Sequence, residues 1–307
     1  MIPSGAETLN GTIVRAIDPG VLMLRGYFRV VSRLLPELAG RQAERAFIAP
    51  PPYRGAPLLA VDAREERVKS GRHSLAVWQA GPATAPKVLL VHGWGGRGEQ
   101  LSSFIAPLVA AGHAVVWFDQ PGHGASSRGA SSLADFARAV QTLERTHGPF
   151  TAAIGHSLGA AALGLALRGG LAISRVAFVG APASITEYSH RFARLLGISP
   201  AIREAMQLRL EQRFGLRFAE IDRIDELRRV DLPALFVHDV GDRQVPFDDA
   251  RRLAARMPDA RLVRTHGLGH QRILREPSVV ATVVRFLDGE NDLPRELPEL
   301  PRPAPIY

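Results

Sequence analysis

The chain has no cysteine among its 307 residues, so neither a disulfide nor a thiolate metal site can form. Lysine is nearly absent, with Lys69 and Lys87 alone, and arginine therefore supplies the formal net charge of +8. Those arginines are scattered along the chain without a basic block, which argues against a nucleic-acid surface. No apolar run approaches the roughly 18 residues of a membrane span. The N-terminus lacks a basic segment followed by an apolar core, and the expected location is cytoplasmic. No phosphate loop, dinucleotide fingerprint or metal cluster is present, so no cofactor and no metal are expected. What is present is ordinary for a globular protein, at 46% apolar and 22% charged residues.

Taken in order, residues 1–20 read as irregular. From Val21 to Leu38 the apolar positions Leu24, Tyr27, Phe28, Val31, Leu34 and Leu35 follow helical spacing, with Arg25, Arg29 and Arg33 opposite. This predicts a helix packed on the main domain, with peripheral membrane contact through residues 21–38 as the alternative. Ala49-Pro50-Pro51-Pro52-Tyr53 reads as a linker, so residues 1–60 form an N-terminal helical extension. Val61–Val68 and Ser74–Gln79 then suggest a hairpin.

Beyond it, short apolar runs at 88–91, 114–118, 152–154, 176–179, 234–237 and 261–264 alternate with helical patterns. That alternation predicts a mostly parallel sheet with helices on both faces, over residues 61–289. One interval breaks the rhythm. Residues 183–230 carry helical patterns and no strand, which predicts a helical lid over the C-terminal edge of the sheet. Residues 290–307 form a proline-rich tail with too few apolar residues for a core, expected to be extended or disordered.

The chemistry centres on Gly155-His156-Ser157-Leu158-Gly159, where the strand ending at Ile154 gives way to a run of small residues. A buried strand turning sharply into a helix would hold a serine hydroxyl at the apex, with the helix N-terminus behind it. A Cβ at Gly155 or Gly159 would obstruct so tight a reversal. Ser157 is thus the candidate nucleophile. A serine needs a base, and the base needs an acid to fix its tautomer. After the 234–237 strand come Asp239 and Asp242; after the 261–264 strand come His266 and His270. Asp242 lies farther out, where it could reach a histidine, and the glycines before His270 let its loop bend toward the serine. Asp239 and His266 remain competitors on chemistry alone. His266 and His270 also share a metal-like spacing, but Gly267 and Gly269 argue against a helix presenting both. An oxyanion hole needs two backbone donors, expected at Leu158 and at Trp94 in the turn His92-Gly93-Trp94-Gly95-Gly96.

With these motifs, Asp119-Gln120-Pro121-Gly122-His123-Gly124 and the Gly269-His270 pair, the chain resembles the α/β-hydrolase superfamily from about Val61 to Gly289. In that family pattern the acid corresponds to Asp242 and the histidine to His270, and the lid follows the sixth strand. Asp239 departs from the pattern, since relatives commonly carry glycine there. The resemblance implies a cofactor-free serine hydrolase that cleaves small-molecule carboxylic esters through an acyl-enzyme. Thioester or amide hydrolysis and perhydrolysis on the same triad are the alternatives. A non-catalytic ligand receptor on this fold is disfavoured, because all three triad members are present. The lid residues Tyr188, Phe192 and Met206, with Leu195, Leu196 and Phe214, are expected to line an apolar acyl pocket.

Overall fold

The structure, a computed structural model, describes residues 19–51 and 63–298. The irregular N-terminus, the second half of the proline linker, the first two residues of the predicted hairpin and the end of the tail lie outside the described residues.

One sheet organises the chain. Its strands are β1 (Arg64–Ser70), β2 (His73–Ala80), β3 (Lys87–Val91), β4 (Ala114–Phe118), β5 (Ala152–His156), β6 (Arg175–Val179), β7 (Ala234–Asp239) and β8 (Ala260–Thr265). Their order is β1-β2-β4-β3-β5-β6-β7-β8. The β1–β2 and β2–β4 pairs are antiparallel, and every later pairing is parallel. The hairpin turn tightens to Gly71-Arg72, which a positive φ of 56° at Gly71 permits. β4 and β5 are buried at every position, because both faces of the sheet are covered.

Two helices, α3 (Ser102–Ala110) and α11 (Pro277–Leu287), cover one face, where Phe104, Ile105 and Phe286 meet Val88 and Leu90. On the other face lie α4 (Leu133–His147), α5 (Leu158–Arg168) and α9 (Phe247–Ala254), with Leu143, Leu163 and Leu253 against Leu89 and Val91. Alternate residues of β3 thus feed opposite cores. The Ser132 hydroxyl accepts the Asp135 N–H at 3.2 Å and starts α4.

Between β6 and β7 the predicted helical insertion is α6 (Ile185–Leu196), α7 (Pro200–Phe214), the single turn α8 (Phe218–Ile221) and a 3₁₀ segment at Ile224–Arg229. Ser184 caps α6 and Ser199 caps α7, where Pro200 occupies a first-turn position that needs no N–H partner. One further turn, α10 (Gly269–Arg272), follows β8.

The N-terminal reading needs correction. Residues 21–38 are not one helix: α1 (Pro19–Leu34) ends before Pro36, and α2 (Pro36–Ile48) begins there. Proline disfavours the continuation of a helix, because it lacks an N–H and crowds the carbonyl four residues back, but it starts one well. These helices do not stand apart. Phe28, Ala39, Ala43 and Ile48 share one buried cluster with Ile202, Met206 and Leu210, so α1 and α2 join the insertion in a single helical layer. Arg209 and Arg213 of α7 pair with Glu37 and Glu44 of α2 at 2.6 and 2.9 Å. Within α1 only Phe28 is fully buried; most of the apolar face expected to pack is exposed. The start of the tail is extended, as expected, but it is not free of the core. The Leu297 N–H donates to the Arg264 carbonyl at 2.9 Å, and Leu297 is buried against the core below β8.

Candidate active site

Ser157 sits between the last residue of β5 and the first of α5. Its φ of 53° and ψ of −123° make it the one non-glycine with positive φ among the described residues. Such a conformation costs on the order of 1–3 kcal/mol and persists only where surroundings enforce it. The enforcement is visible. The Ser157 N–H donates to the Val179 carbonyl at the end of β6 at 3.0 Å. A Cβ on Gly155 would lie 2.7 Å from the Ala160 Cα, and one on Gly159 would lie 2.3 Å from the Val91 carbonyl oxygen. The first glycine admits the reversal itself; the second admits the close packing of α5 on the end of β3.

The loop after β7 wraps the Asp242 carboxylate. Its Oδ1 accepts the N–H groups of Gln244 and Val245 at 2.8 and 3.0 Å, and its Oδ2 lies 2.6 Å from His270 Nδ1. His238 Nε2 adds a contact at 3.5 Å and donates to the Val245 carbonyl at 3.0 Å. Burial pushes the Asp242 carboxyl up, but the hydrogen bonds from His238 and His270 outweigh it and hold the group well below the usual carboxylate range. Gly180, after β6, leaves room for the pair: a Cβ there would be 3.2 Å from the His270 ring.

The competing residues have other partners. Asp239 accepts the N–H groups of Gly241 and Leu268 and the Thr265 hydroxyl, each at 2.9 Å. It ties the β7 loop to the β8 loop and touches no histidine ring. His266 pairs with Glu296 at 2.7 Å, so it and His270 share no site.

The turn after β3 lies directly against the serine, since a Cβ on Gly93 would meet the Ser157 Cβ at 2.8 Å. Leu158, as the first residue of α5, has an N–H with no acceptor one turn back. Two neutral histidines hold the turn. The Gly95 N–H donates to His123 Nε2 at 3.0 Å, and the Gln120 N–H to His92 Nε2 at 2.8 Å. Asp119 binds the Gly98 and Ala125 N–H groups at 2.7 and 2.6 Å, joining the loops after β3 and β4. His156 is held beneath the site: its Nε2 donates to the His270 carbonyl at 3.0 Å, and the two rings are 4.6 Å apart.

Burial lowers His92 to about 4 and, with a neighbouring imidazole in each case, His123 and His156 to about 3. These groups stay neutral when folded but bind protons near pH 6.5 when unfolded. Stability is therefore lost as pH falls from about 6.5 toward 4, by about 1.4 kcal/mol per histidine per pH unit. Burial raises Asp119 and Asp249, which acts in the opposite sense. The urea midpoint is expected to fall steeply between pH 6.5 and 4; a flat profile would contradict neutral burial.

Ser157, His270, Trp94 and Leu158 all line one cavity of about 210 Å³ beneath the helical layer. Tyr188 lines it too. Phe192 and Met206 do not: they pack in the cluster between α2, α6 and α7, because their positions face the neighbouring helices. Leu195 is 54% exposed. Phe47 and Ile48 of α2 line the cavity instead, and no local pattern could reveal them, since α2 reaches the site only through tertiary packing. His156 stood inside the serine motif, and its position beside the serine was the available signal.

A buried, mostly parallel sheet with a strand–serine–helix turn, a carboxylate–histidine pair and a covering helical layer is the architecture of the α/β-hydrolase fold. Residues 88–283 match the alpha/beta hydrolase family, and the chain belongs to it. The chain is similar to the pimeloyl-(acyl-carrier protein) methyl ester esterase of Aromatoleum aromaticum, at 27% identity over 246 residues, 65% of this chain and 96% of that one. Among solved structures it resembles the carboxylesterase CesB from Bacillus subtilis, with a TM-score of 0.58 and 18% identity over 83% of this chain and 99% of that chain. It also resembles a membrane phospholipase A described as a bacterial virulence factor, with a TM-score of 0.58 and 17% identity over 88% and 97% of the two chains.

Proposed function

We propose that the protein is a serine hydrolase that cleaves carboxylic esters through an acyl-enzyme. The observation that carries this reading is the 2.6 Å contact between Asp242 and His270, in a cavity that His270 shares with a conformationally strained Ser157. Ser157 Oγ attacks the acyl carbon as His270 Nε2 takes its proton. Asp242 holds the Nδ1–H tautomer and stabilises the imidazolium. The N–H groups of Leu158 and Trp94 receive the oxyanion, each worth about 3 kcal/mol in the transition state. His270 then returns the proton to the leaving alcohol, and water repeats the cycle on the acyl-enzyme.

Ester rather than amide cleavage is favoured by the relatives named as esterases and by a cavity lined mainly by apolar side chains. The helices between β6 and β7 act as the lid, joined by α1 and α2. The test is turnover of aryl esters by the wild type and by Ser157→Ala: loss in the variant is expected, and unchanged turnover overturns the reading.

A further inference from the structure

The cavity does not stop at the serine. Along α5 it is lined by Leu158, Ala161, Gly164, Leu165 and Arg168, which fall on one helical face turned away from the sheet. Ile221, Ile224 and Leu227 of the covering layer lie across from them. At the far end of that helical face stands a cation that is already satisfied. The Arg168 guanidinium binds Glu226 at 2.6 Å and the carbonyls of Glu220 and Ile221 at 2.7 and 2.9 Å.

Gly164 is the informative position. Glycine is among the least favourable residues in a helix interior. No packing requires it here, since a Cβ at Gly164 would have nothing within 4 Å. The absence of a side chain has one visible consequence, a wider channel at that level.

We propose, resting on the serine-esterase reading, that this channel receives the acyl chain and selects straight, methyl-ended chains of about ten to twelve carbons. His270 must protonate the leaving oxygen, so the alcohol lies on its side and the acyl chain runs away along α5. Leu158 to Arg168 spans about 15 Å at 1.5 Å per residue. An extended carbon chain advances about 1.2 Å per bond, a third of a backbone residue's reach, which gives about twelve carbons. Gly164 stands about 9 Å from Leu158, at the level of the seventh or eighth carbon. An ω-carboxylate would compete with Glu226 for Arg168, so the chain should end in methyl.

Two measurements test this. The first is kcat/KM for p-nitrophenyl esters from butanoate to hexadecanoate, in wild type, Gly164→Ala and Gly164→Leu. The wild-type optimum is expected at ten to twelve carbons, and Gly164→Leu should lower the dodecanoate-to-butanoate ratio at least about tenfold, with Gly164→Ala shifting it less. The second is calorimetric binding of laurate to Ser157→Ala, with and without Gly164→Leu, which needs no turnover. Laurate should bind Ser157→Ala, and the added leucine should weaken it at least about tenfold. A wild-type optimum at four carbons or fewer, or laurate affinity unchanged by Gly164→Leu, overturns the channel. Turnover retained in Ser157→Ala would instead overturn the esterase reading, whatever laurate does.

A different observation carries a second inference. On α1, Met23, Tyr27, Val30 and Leu34 form one helical face, exposed at 77, 38, 57 and 72%, and Leu35 and Leu38 extend it. Arg33 lies at one edge of that face and Arg29 farther round the helix, and α1 contains no acidic residue. We infer that this face docks on an anionic lipid surface, with the apolar side chains in the interface and Arg33 at the headgroups. Co-sedimentation with phosphatidylglycerol-containing vesicles is expected. It should weaken at high salt and disappear in Met23→Asp/Leu34→Asp, with turnover of a soluble ester unchanged. No co-sedimentation, equal binding by the variant, or a dimer that the variant converts to monomer would overturn it.

Discussion

Replacing Ser157 with alanine is expected to lower kcat on aryl esters by about 10⁶-fold, with a smaller change in KM. The size follows from what is lost. Without Oγ there is no acyl-enzyme, and His270 and Asp242 have no proton to move. On the proposed mechanism, what survives is binding and the oxyanion donors of Leu158 and Trp94, about 10³–10⁴-fold over water. The variant should fold. The Ser157 side chain makes no cap hydrogen bond to α5, and its backbone is held by the N–H to Val179 and by the glycines on either side, which the substitution leaves in place. Single-turnover kinetics beside a thermal melt would separate lost chemistry from lost structure.

Asp242→Asn is expected to lower kcat by about 10⁴-fold, whereas Asp239→Asn should act mainly on stability. The two carboxylates are three residues apart and do different work. Asparagine at 242 removes the charge that stabilises the imidazolium, and its amide favours the wrong tautomer of His270. The Gln244 and Val245 N–H groups can still be satisfied by the remaining oxygen, so the loop should hold. At 239 both oxygens accept, from Gly241 on one side and from Thr265 and Leu268 on the other. An amide nitrogen facing the buried Leu268 N–H leaves a donor unpaired, at about 1–3 kcal/mol. The reverse pattern, with kcat collapsing in Asp239→Asn and surviving in Asp242→Asn, would overturn the assignment of the acid.

The elements most legible in the sequence are those whose pattern is local. The runs at 114–118 and 152–154 are continuous and apolar because both faces of the sheet are covered, so they read as buried strands without knowledge of their partners. The Ser132/Asp135 cap and Pro200 mark helix starts for reasons contained within one turn. Pro36 was equally local and marked a break inside an otherwise periodic run, yet the apolar spacing across it suggested one helix. The proline prevails at this point, where a missing N–H and a ring clash outweigh the periodicity, although α3 accommodates Pro107 in its interior.

The sequence by itself determined the strand–helix alternation, the glycines around Ser157 and the order in which serine, acid and histidine occur. Each depends on chain geometry within a few residues. Only the tertiary structure decided which acid meets which histidine, that α2 contributes Phe47 and Ile48 to the cavity, that Phe192 and Met206 face their helical neighbours, and that no described residue covers the outer face of α1. Those outcomes depend on which surfaces meet across distances of tens to hundreds of residues. Periodicity can say that a helix has an apolar face, but the packing of other elements determines what that face touches.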